Sequence, residues 1–251
     1  MTKPRIAIIG YGNMGREIER AALSRGLTVQ AIIDVQPQRQ GLERPEEALA
    51  GVDVCVEFTT PDAVLENVRM CASAGKNLVI GTTGWGDRLD EGRGIAEGAD
   101  IGVIYGSNFS IGVHIFLKLV SRAGEILGLY PQYDAAVHET HHTGKKDAPS
   151  GTALSIAAEL LRLIPSKVRI DTVSATGRVA ADALIISSAR VGSVPGTHTV
   201  TFDSTVDTIE LIHTARGRQG FAEGALLAAE WIHHRKGFFT IQDMLHEIES
   251  V

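Results

Sequence analysis

The sequence predicts an α/β protein: a doubly wound parallel sheet, followed by a second α+β domain that carries a mixed or antiparallel sheet. The first part of the chain alternates short apolar segments with helical patterns, which is typical of a parallel sheet covered on both faces. After about Asn108, two segments alternate apolar and polar residues around a short polar connection, which indicates an antiparallel hairpin. The length of 251 residues allows one large domain or two small ones.

The first part contains five predicted strands separated by helical segments. The third strand shows the local pattern, because Thr59 or Thr60 can cap a helix, Pro61 suits its first turn and Gly75 ends it. The five strands are residues 5–9, 28–34, 52–58, 77–81 and 101–105.

The predicted hairpin joins residues 198–203 to residues 208–213, and residues 182–190 are a third strand candidate. Residues 221–233 return to helical spacing, which predicts a helix that packs back on the first domain. We therefore expect a discontinuous first domain, residues 1–108 and 220–251, with residues 109–219 inserted as the second domain.

The composition excludes several classes of protein. With 44% hydrophobic and 22% charged residues the chain is not of the disordered type, and its net charge of -6 gives no overall positive field for nucleic acid or an anionic membrane. Cys55 and Cys71 suggest neither a disulfide framework nor a zinc ribbon. No segment approaches the ~20 apolar residues of a spanning helix. We expect a cytoplasmic protein with no membrane or nucleic-acid partner.

A glycine-rich turn follows the first predicted strand directly and precedes a helical segment. Gly10 permits the tight turn, Gly12 allows a pyrophosphate to approach the backbone, and Gly15 allows the helix to pack on the strand. This strand–turn–helix context predicts that the first domain is a dinucleotide-binding domain of the Rossmann type. A glycine turn that binds no dinucleotide is the alternative.

Asp34 lies 19 residues after Gly15, where an acidic residue accepts hydrogen bonds from the adenosine ribose. Because its carboxylate would also repel a 2′-phosphate, we expect NADH as the preferred cofactor, with NADPH possible and Arg39 the residue best able to support NADPH. The nicotinamide pocket is expected at the carboxyl ends of the strands. The other candidate cofactor-binding residues are Asn13, Met14, Phe58, Gly81, Thr82, Thr83, Ser107, Asn108 and Phe109.

A short segment from His138 to His142 concentrates three of the nine histidines. It formally satisfies the zinc motif H-E-x-x-H, but that geometry needs a helix, and Gly144 and Pro149 follow closely. On a strand, residues 138 and 142 would lie ~13 Å apart, too far to share one ion. We therefore predict a short strand leading into a loop, and no metal site. A solvated polar loop is a second interpretation.

The third interpretation is an anion-binding catalytic loop. Ser150 has the position of an N-cap for a helix over Gly151–Leu163, so the amides of Gly151 and Thr152 would point outward at a helix N-terminus. With Lys145 and the histidines they would bind a small carboxylate substrate. Histidine titrates near neutrality and can donate a proton to the developing charge when an imine or enamine accepts a hydride.

The segment resembles the signature of the 4-hydroxy-tetrahydrodipicolinate reductase (dihydrodipicolinate reductase) family of bacterial lysine and diaminopimelate synthesis. The resemblance departs at Ala136, where the family has an acidic residue, and extends to the glycine turn and to residues 58–59, 81–84, 107–110 and 221–225. The residues that fill the signature in register are Val137, Glu139, His141, Lys145, Asp147, Pro149, Ser150, Gly151, Thr152 and Ala153.

The resemblance implies reduction by NAD(P)H of an unsaturated cyclic imine, formed from 4-hydroxy-tetrahydrodipicolinate by loss of water, to tetrahydrodipicolinate. It implies that the hydride comes from C4 of the nicotinamide, that His141 is the general acid, and that Lys145 is a second proton donor that also binds substrate. His142, Gly151 and Thr152 would bind the dicarboxylate. It further implies a homotetramer assembled through the sheet of the second domain.

Two other functions stay open at this point. A related NAD-dependent dehydrogenase could act on another small carboxylate, imine or semialdehyde, although neither Cys55 nor Cys71 occupies a loop suited to a thiolate nucleophile. A non-catalytic NADH-sensing protein could use the Rossmann domain as a switch, but this would leave His141, His142 and Lys145 unexplained.

Overall fold

The computed structural model describes residues 3–34, 45–172 and 177–250. Contacts divide the chain into two units: the first runs to Ser110 and resumes at Arg218, and the second is Ile111–Gly217. In chain order the described residues form β1 (Arg5–Ile9), α1 (Asn13–Ser24), β2 (Thr28–Ile33), β3 (Val54–Glu57), α2 (Val64–Ser73), β4 (Asn77–Ile80), α3 (Leu89–Gly98), β5 (Gly102–Tyr105), α4 (Ile111–Leu127), β6 (Asp134–His141), α5 (Gly151–Leu163), β7 (Arg169–Asp171), β8 (Ala183–Arg190), β9 (Thr197–Asp203), β10 (Thr208–Thr214), α6 (Gln219–Ile232), β11 (Gly237–Thr240) and α7 (Ile241–Glu249).

The first unit contains a six-stranded parallel sheet in the order β11-β5-β4-β3-β1-β2. All five predicted strands are present, with ends shifted by at most two residues, and the predicted doubly wound sheet is confirmed. Strands β3 and β4 are buried at every position, as parallel strands covered on both faces must be. The strand order reverses between β1 and β3, which is where such folds bind ligands.

Helix α6 belongs to the first unit and lies where the sequence predicts a helix over residues 221–233. It packs against α1, β3 and β4 through a face of small residues that includes Ala222, Ala225 and Ala229. Strand β11, at the edge of the sheet, was not predicted from the sequence, because four half-buried residues are too few to show a period.

The second unit contains a five-stranded mixed sheet in the order β10-β9-β6-β8-β7, as the predicted α+β domain requires. The hairpin β9–β10 is antiparallel, β9 pairs antiparallel with β6, and β6, β8 and β7 run parallel. Val137 pairs with Val200, and both lie in an apolar core to which α4 and α5 contribute. Helix α4 and strand β7 were not predicted.

Strand β6 is longer than predicted, because it continues through the histidine segment to His141. Its side chains alternate between the two faces, so that Val137, Glu139 and His141 are buried while His138 is exposed. The segment is not helical, as predicted. The alternation places a carboxylate and an imidazole on the face of the sheet that also carries the apolar core.

Cys55 and Cys71 are both buried and free, which agrees with the absence of a disulfide framework inferred from the sequence. Among the described residues, no helix combines the length and the apolar character needed to cross a membrane.

Candidate active site

Most predicted cofactor-binding residues lie in loops at the carboxyl ends of β1 to β5, which form one edge of the parallel sheet. Asn13, Met14 and Gly15 form the first turn of α1, directly after the loop that follows β1. Gly10 has φ +89°, and a Cβ there would lie 2.2 Å from the carbonyl oxygen of Phe58. A Cβ on Gly15 would lie 2.2 Å from the carbonyl oxygen of Gly10, whereas nothing lies within 4 Å of a Cβ on Gly12. Helix α1 has no side-chain cap at Gly12. The turn therefore has the close packing and the open helix N-terminus that a pyrophosphate requires.

Phe58 joins three of these loops. Its ring lies so close to Gly81 that a Cβ there would be 2.1 Å away, and the Phe58 and Phe109 ring centroids are 6.3 Å apart. The side chain of Phe109 is 1% exposed, so it supports the loop by packing and leaves only backbone atoms for a ligand. A side chain at residue 81 would therefore collide with the Phe58 ring.

Glu57, at the end of β3, is a buried residue that the sequence analysis missed. Its Oε1 accepts hydrogen bonds from the Thr59 amide at 3.0 Å and the Thr82 hydroxyl at 2.9 Å, as well as from the Thr59 hydroxyl. Burial raises the pKa of Glu57, against the opposing effect of these hydrogen bonds. The carboxyl group ties the loop after β3 to the loop after β4, and the hydroxyl of Thr82, a predicted cofactor ligand, is used in this way.

The remaining predicted cofactor residues differ in exposure. Gly12, Asn13, Thr83 and Ser107 are exposed, whereas Met14, Asp34, Gly81 and Asn108 are half-buried. Arg39 lies outside the described residues.

In the second unit, Glu139 is the centre of a buried polar cluster. It is fully buried, and its two oxygens accept hydrogen bonds from the Ser150 amide at 3.1 and 3.2 Å. Arg190 donates to Oε1 at 3.0 Å. Burial by itself raises the pKa of Glu139, but hydrogen bonds from Ser150, Ser188 and Arg190 outweigh it and lower the pKa to about 2. Glu139 is therefore a carboxylate at neutral pH.

His141 and His198 face this carboxylate. The Nε2 atom of His141 lies 3.3 Å from Glu139 Oε2, and that of His198 lies 3.6 Å from the same oxygen. The two rings are edge to face at 5.2 Å, and a Cβ on Gly196 would lie 2.8 Å from the His141 ring. Burial lowers the pKa of His141, opposed by the charge of Glu139, and burial with the charge of His141 lowers that of His198 to about 4.

Lys145, the second predicted catalytic residue, lies in the loop after β6. Its Nζ donates to both carboxylate oxygens of Asp147, at 2.8 and 2.9 Å. Arg190 also donates to the carbonyl oxygen of Asp147 at 2.5 Å, so the same guanidinium contacts Glu139 and this loop. His142 is half-buried and follows β6 directly.

The predicted helix N-terminus is present. The Ser150 hydroxyl caps α5 by accepting from the Ala153 amide at 3.2 Å, as predicted, and lies 3.1 Å from His198 Nε2. The amides of Gly151 and Thr152 belong to the first turn, which has no intrahelical acceptors. Gly151 is exposed, with nothing within 4 Å of a Cβ placed there. The structure thus brings His141, Lys145, Gly151 and Thr152 to one end of the second sheet.

Glu139, His141 and His198 have ligand atoms within 4.8 Å of one another, as three metal ligands would. Arg190 already places a positive charge on the carboxylate, and Lys145 lowers the pKa of both imidazoles. A second cation is disfavoured by this repulsion. The donor set fits a proton-carrying imidazole beside an anion site better than it fits a metal.

The fold and these residues define a two-unit α/β protein with a nucleotide-binding Rossmann unit. Two family models match the chain: "Dihydrodipicolinate reductase, N-terminus" over residues 4–109 and "Dihydrodipicolinate reductase, C-terminus" over residues 112–245. The chain belongs to the dihydrodipicolinate reductase family.

Two curated relatives are both named 4-hydroxy-tetrahydrodipicolinate reductase. The chain is 38% identical to the protein of Christiangramia forsetii, over 97% of this chain and 98% of that one. It is 37% identical to the protein of Pseudomonas fluorescens, over 96% and 98%.

Among solved structures, a dipicolinate-bound dihydrodipicolinate reductase from Paenisporosarcina sp. matches with a TM-score of 0.69 and 23% identity, over 95% of this chain and 98% of that one. An amine dehydrogenase from Mycobacterium smegmatis matches with a TM-score of 0.59 and 14% identity, over 96% and 95%. These likenesses show the shared fold.

Four residues of the two clusters were not predicted as site residues: Glu57, Glu139, Arg190 and His198. Glu139 was named only as part of the family signature. Glu57 and Arg190 lie at the ends of strands, and nothing in their local sequence distinguishes them from ordinary strand residues. His198 had a detectable signal, because it is a histidine at an inward position of a strand with alternating burial.

Proposed function

We propose that the chain catalyses the NAD(P)H-dependent reduction of 4-hydroxy-tetrahydrodipicolinate to tetrahydrodipicolinate in lysine and diaminopimelate synthesis. The observation that carries this proposal is the cluster of His141, Lys145 and the α5 N-terminus in a member of the dihydrodipicolinate reductase family. The two curated relatives are named for this reaction.

The glycine turn and α1 hold the pyrophosphate of the dinucleotide, and the loops after β3, β4 and β5 hold its nicotinamide end. NAD(P)H supplies the hydride from C4 of its ring. Asp34 accepts hydrogen bonds from the ribose and disfavours a 2′-phosphate, so NADH is the preferred cofactor and NADPH a possible one.

In the second unit, the amides of Gly151 and Thr152, with His142 and Lys145, bind the carboxylates of the substrate. His141 donates a proton from its imidazole as the ring of the substrate becomes electron-rich, and Lys145 assists. Binding of a substrate carboxylate to Lys145 has to compete with its ion pair to Asp147.

We propose that the chain forms a homotetramer through one face of the second sheet. Helices α4 and α5 pack on one face. The other face presents half-buried and exposed side chains at alternate positions of its strands, among them Thr199, Glu210 and Ile212. Such a face can pair with a second copy, and analytical ultracentrifugation tests this directly. A cytoplasmic location also stays a prediction.

The test of the function is the loss of NADH or NADPH absorbance with freshly generated 4-hydroxy-tetrahydrodipicolinate, with and without pyridine-2,6-dicarboxylate. We expect rapid oxidation that the dicarboxylate inhibits, with NADH the better coenzyme. NADH binding without oxidation would overturn the substrate assignment and favour either a dehydrogenase for another small carboxylate or an NADH sensor.

A further inference from the structure

We infer that Glu139 is a positioning residue: its buried carboxylate fixes His141, Arg190 and the first turn of α5 in one arrangement and keeps the His141 imidazole able to hold a proton. This inference rests on the proposed function for the role of His141. The contacts of Glu139 themselves are independent of that role.

Arg190, the Ser150 amide and His141 meet at the carboxylate of Glu139. Oε1 accepts from Arg190 at 3.0 Å and from the Ser150 amide at 3.1 Å. Oε2 lies 3.2 Å from the same amide and 3.3 Å from His141 Nε2. A buried ion pair that served stability alone would need Arg190 but would not need an imidazole beside the second oxygen. The arrangement links β6, β8 and α5 at the end where the predicted substrate ligands lie.

Arg190 connects Glu139 to the loop after β6. Its NH2 group donates both to Glu139 Oε1 and to the carbonyl oxygen of Asp147. Asp147 in turn holds the Nζ of Lys145 through two hydrogen bonds. The position of the Lys145 amine therefore depends on Glu139 through Arg190 and Asp147.

Charged groups of both signs surround His141. The groups that face it are Glu139 on its own strand, Lys145 in the following loop, Arg190 on β8 and His198 on β9. Burial, Lys145 and Arg190 lower the pKa of His141, whereas Glu139 and a hydrogen bond with the backbone of Pro195 raise it. Glu139 supplies the only negative charge among these groups.

The Nε2 atom of His141 is buried beside Glu139 without being committed to a hydrogen bond with any described residue. Although Nε2 is close to Glu139, it has no well-aligned hydrogen-bond partner among the described residues. The carboxylate therefore acts on the imidazole through its charge, and Nε2 is not committed to a strong hydrogen bond.

The test uses Glu139→Gln, which keeps Oε1 as an acceptor for Arg190 and Ser150 but removes the charge. The pKa of His141 is measured by NMR titration of the histidine ring signals, assigned with His141→Gln. We expect it to fall by about one unit in Glu139→Gln, since an opposite charge at this distance contributes ~1–3 units. The alkaline limb of kcat should move by the same amount, with kcat falling about tenfold at pH 8 and the affinity for NADH changing less than about twofold.

Arg190→Gln removes a cation and should therefore raise the pKa of His141, which is the opposite of the change expected in Glu139→Gln. Glu125→Gln removes an exposed carboxylate of α4 and is the matched control, for which no change is expected. An unchanged pKa of His141 in both Glu139→Gln and Arg190→Gln overturns the inference, as does an equal loss of activity at all pH values. Because the NMR titration needs no turnover, it decides the inference even where the wild-type protein fails to oxidise NADH, an outcome that would overturn the proposed function alone.

Discussion

Lys145 illustrates how the chemistry of single residues depends on their partners. Its amine is held by Asp147, which keeps it in one position in the loop after β6. Lys146, the next residue, is exposed. The two lysines have the same side chain and adjacent positions, and only their contacts in the folded protein distinguish them.

Replacing Lys145 by Ala should lower kcat/KM by about 10²–10⁴-fold, because a proton donor and a ligand for the substrate carboxylate are both lost. The dissociation constant for NADH should stay within about twofold. Steady-state kinetics and NADH titration measure the two effects, and Lys146→Ala serves as the control. An equal loss of cofactor affinity would contradict the assignment of Lys145 to the substrate-binding domain.

Glu57 is expected to act on NADH binding through the loops that it joins. Glu57→Gln keeps the acceptor for the Thr59 amide and the Thr82 hydroxyl, and should leave the dissociation constant for NADH within about twofold. Glu57→Leu removes the acceptor of the Thr82 hydroxyl, whereas the Thr59 amide keeps Thr82 Oγ1 as an acceptor at 2.7 Å. The unpaired hydroxyl costs ~1–3 kcal/mol, so that NADH should bind about tenfold more weakly. Fluorescence titration with NADH measures this, with Glu91→Gln on α3 as the control. If Glu57→Leu bound NADH as tightly as the wild-type protein, Glu57 would have no role in cofactor binding.

At the scale of secondary structure, the strands of the first unit were predictable because their residues are apolar and buried on both faces. In the second unit the hairpin was predictable because burial alternates along β9. The long helix α4 was not predicted. Strand β6 was predicted too short, because its polar residues Glu139 and His141 face inward, where a sequence pattern expects apolar ones.

Asn77, at the start of β4, connects three elements. Its side-chain amide donates to the carbonyl oxygens of Ile232 at 2.7 Å and His233 at 3.0 Å, and its Oδ1 accepts from the Gly102 amide at 2.8 Å. Asn77 thereby provides hydrogen-bond partners for two carbonyl groups at the end of α6 and for the backbone amide at the start of β5.

Asn77→Ala should lower the free energy of unfolding by about 3 kcal/mol, because the buried carbonyl and amide groups lose their partner. Urea denaturation measures the change. Gln219→Ala, at the exposed first residue of α6, should change it by less than ~0.5 kcal/mol. A change below about 1 kcal/mol for Asn77→Ala would show that these groups find other partners.

At the scale of the whole molecule, buried histidines should make stability depend on pH. Burial, followed by the charge of His141, lowers the pKa of His198 to about 4 in the folded state, against 6.5 as its ordinary value. The unfolded chain therefore binds the proton more tightly, and the free energy of unfolding should decrease as the pH falls from 6.5 to 4, by up to about 3 kcal/mol from this residue. The lowered pKa of His141 and His213 acts in the same direction.

Urea unfolding at a series of pH values, followed by circular dichroism, tests this dependence. His198→Gln should flatten the decrease between pH 6.5 and 4. A separate decrease below pH 4.5 should remain, because the pKa of Glu139 is lowered to about 2 and its protonation removes the bonds from Ser150 and Arg190. A slope unchanged by His198→Gln would be inconsistent with a neutral buried imidazole.

The fold class, the glycine turn and the helix cap at Ser150 could be predicted from the sequence, because each depends on the conformational preferences of residues that are adjacent in the chain. The signature from Val137 to Ala153 also led from the sequence to the family. The groups that contact Glu139 could not be predicted in this way, since Ser150, Arg190 and His198 come from separate elements and converge only through strand pairing and helix packing. The same holds in part for Glu57, because its carboxyl group accepts hydrogen bonds from the nearby Thr59 and from Thr82, which lies 25 residues further along the chain.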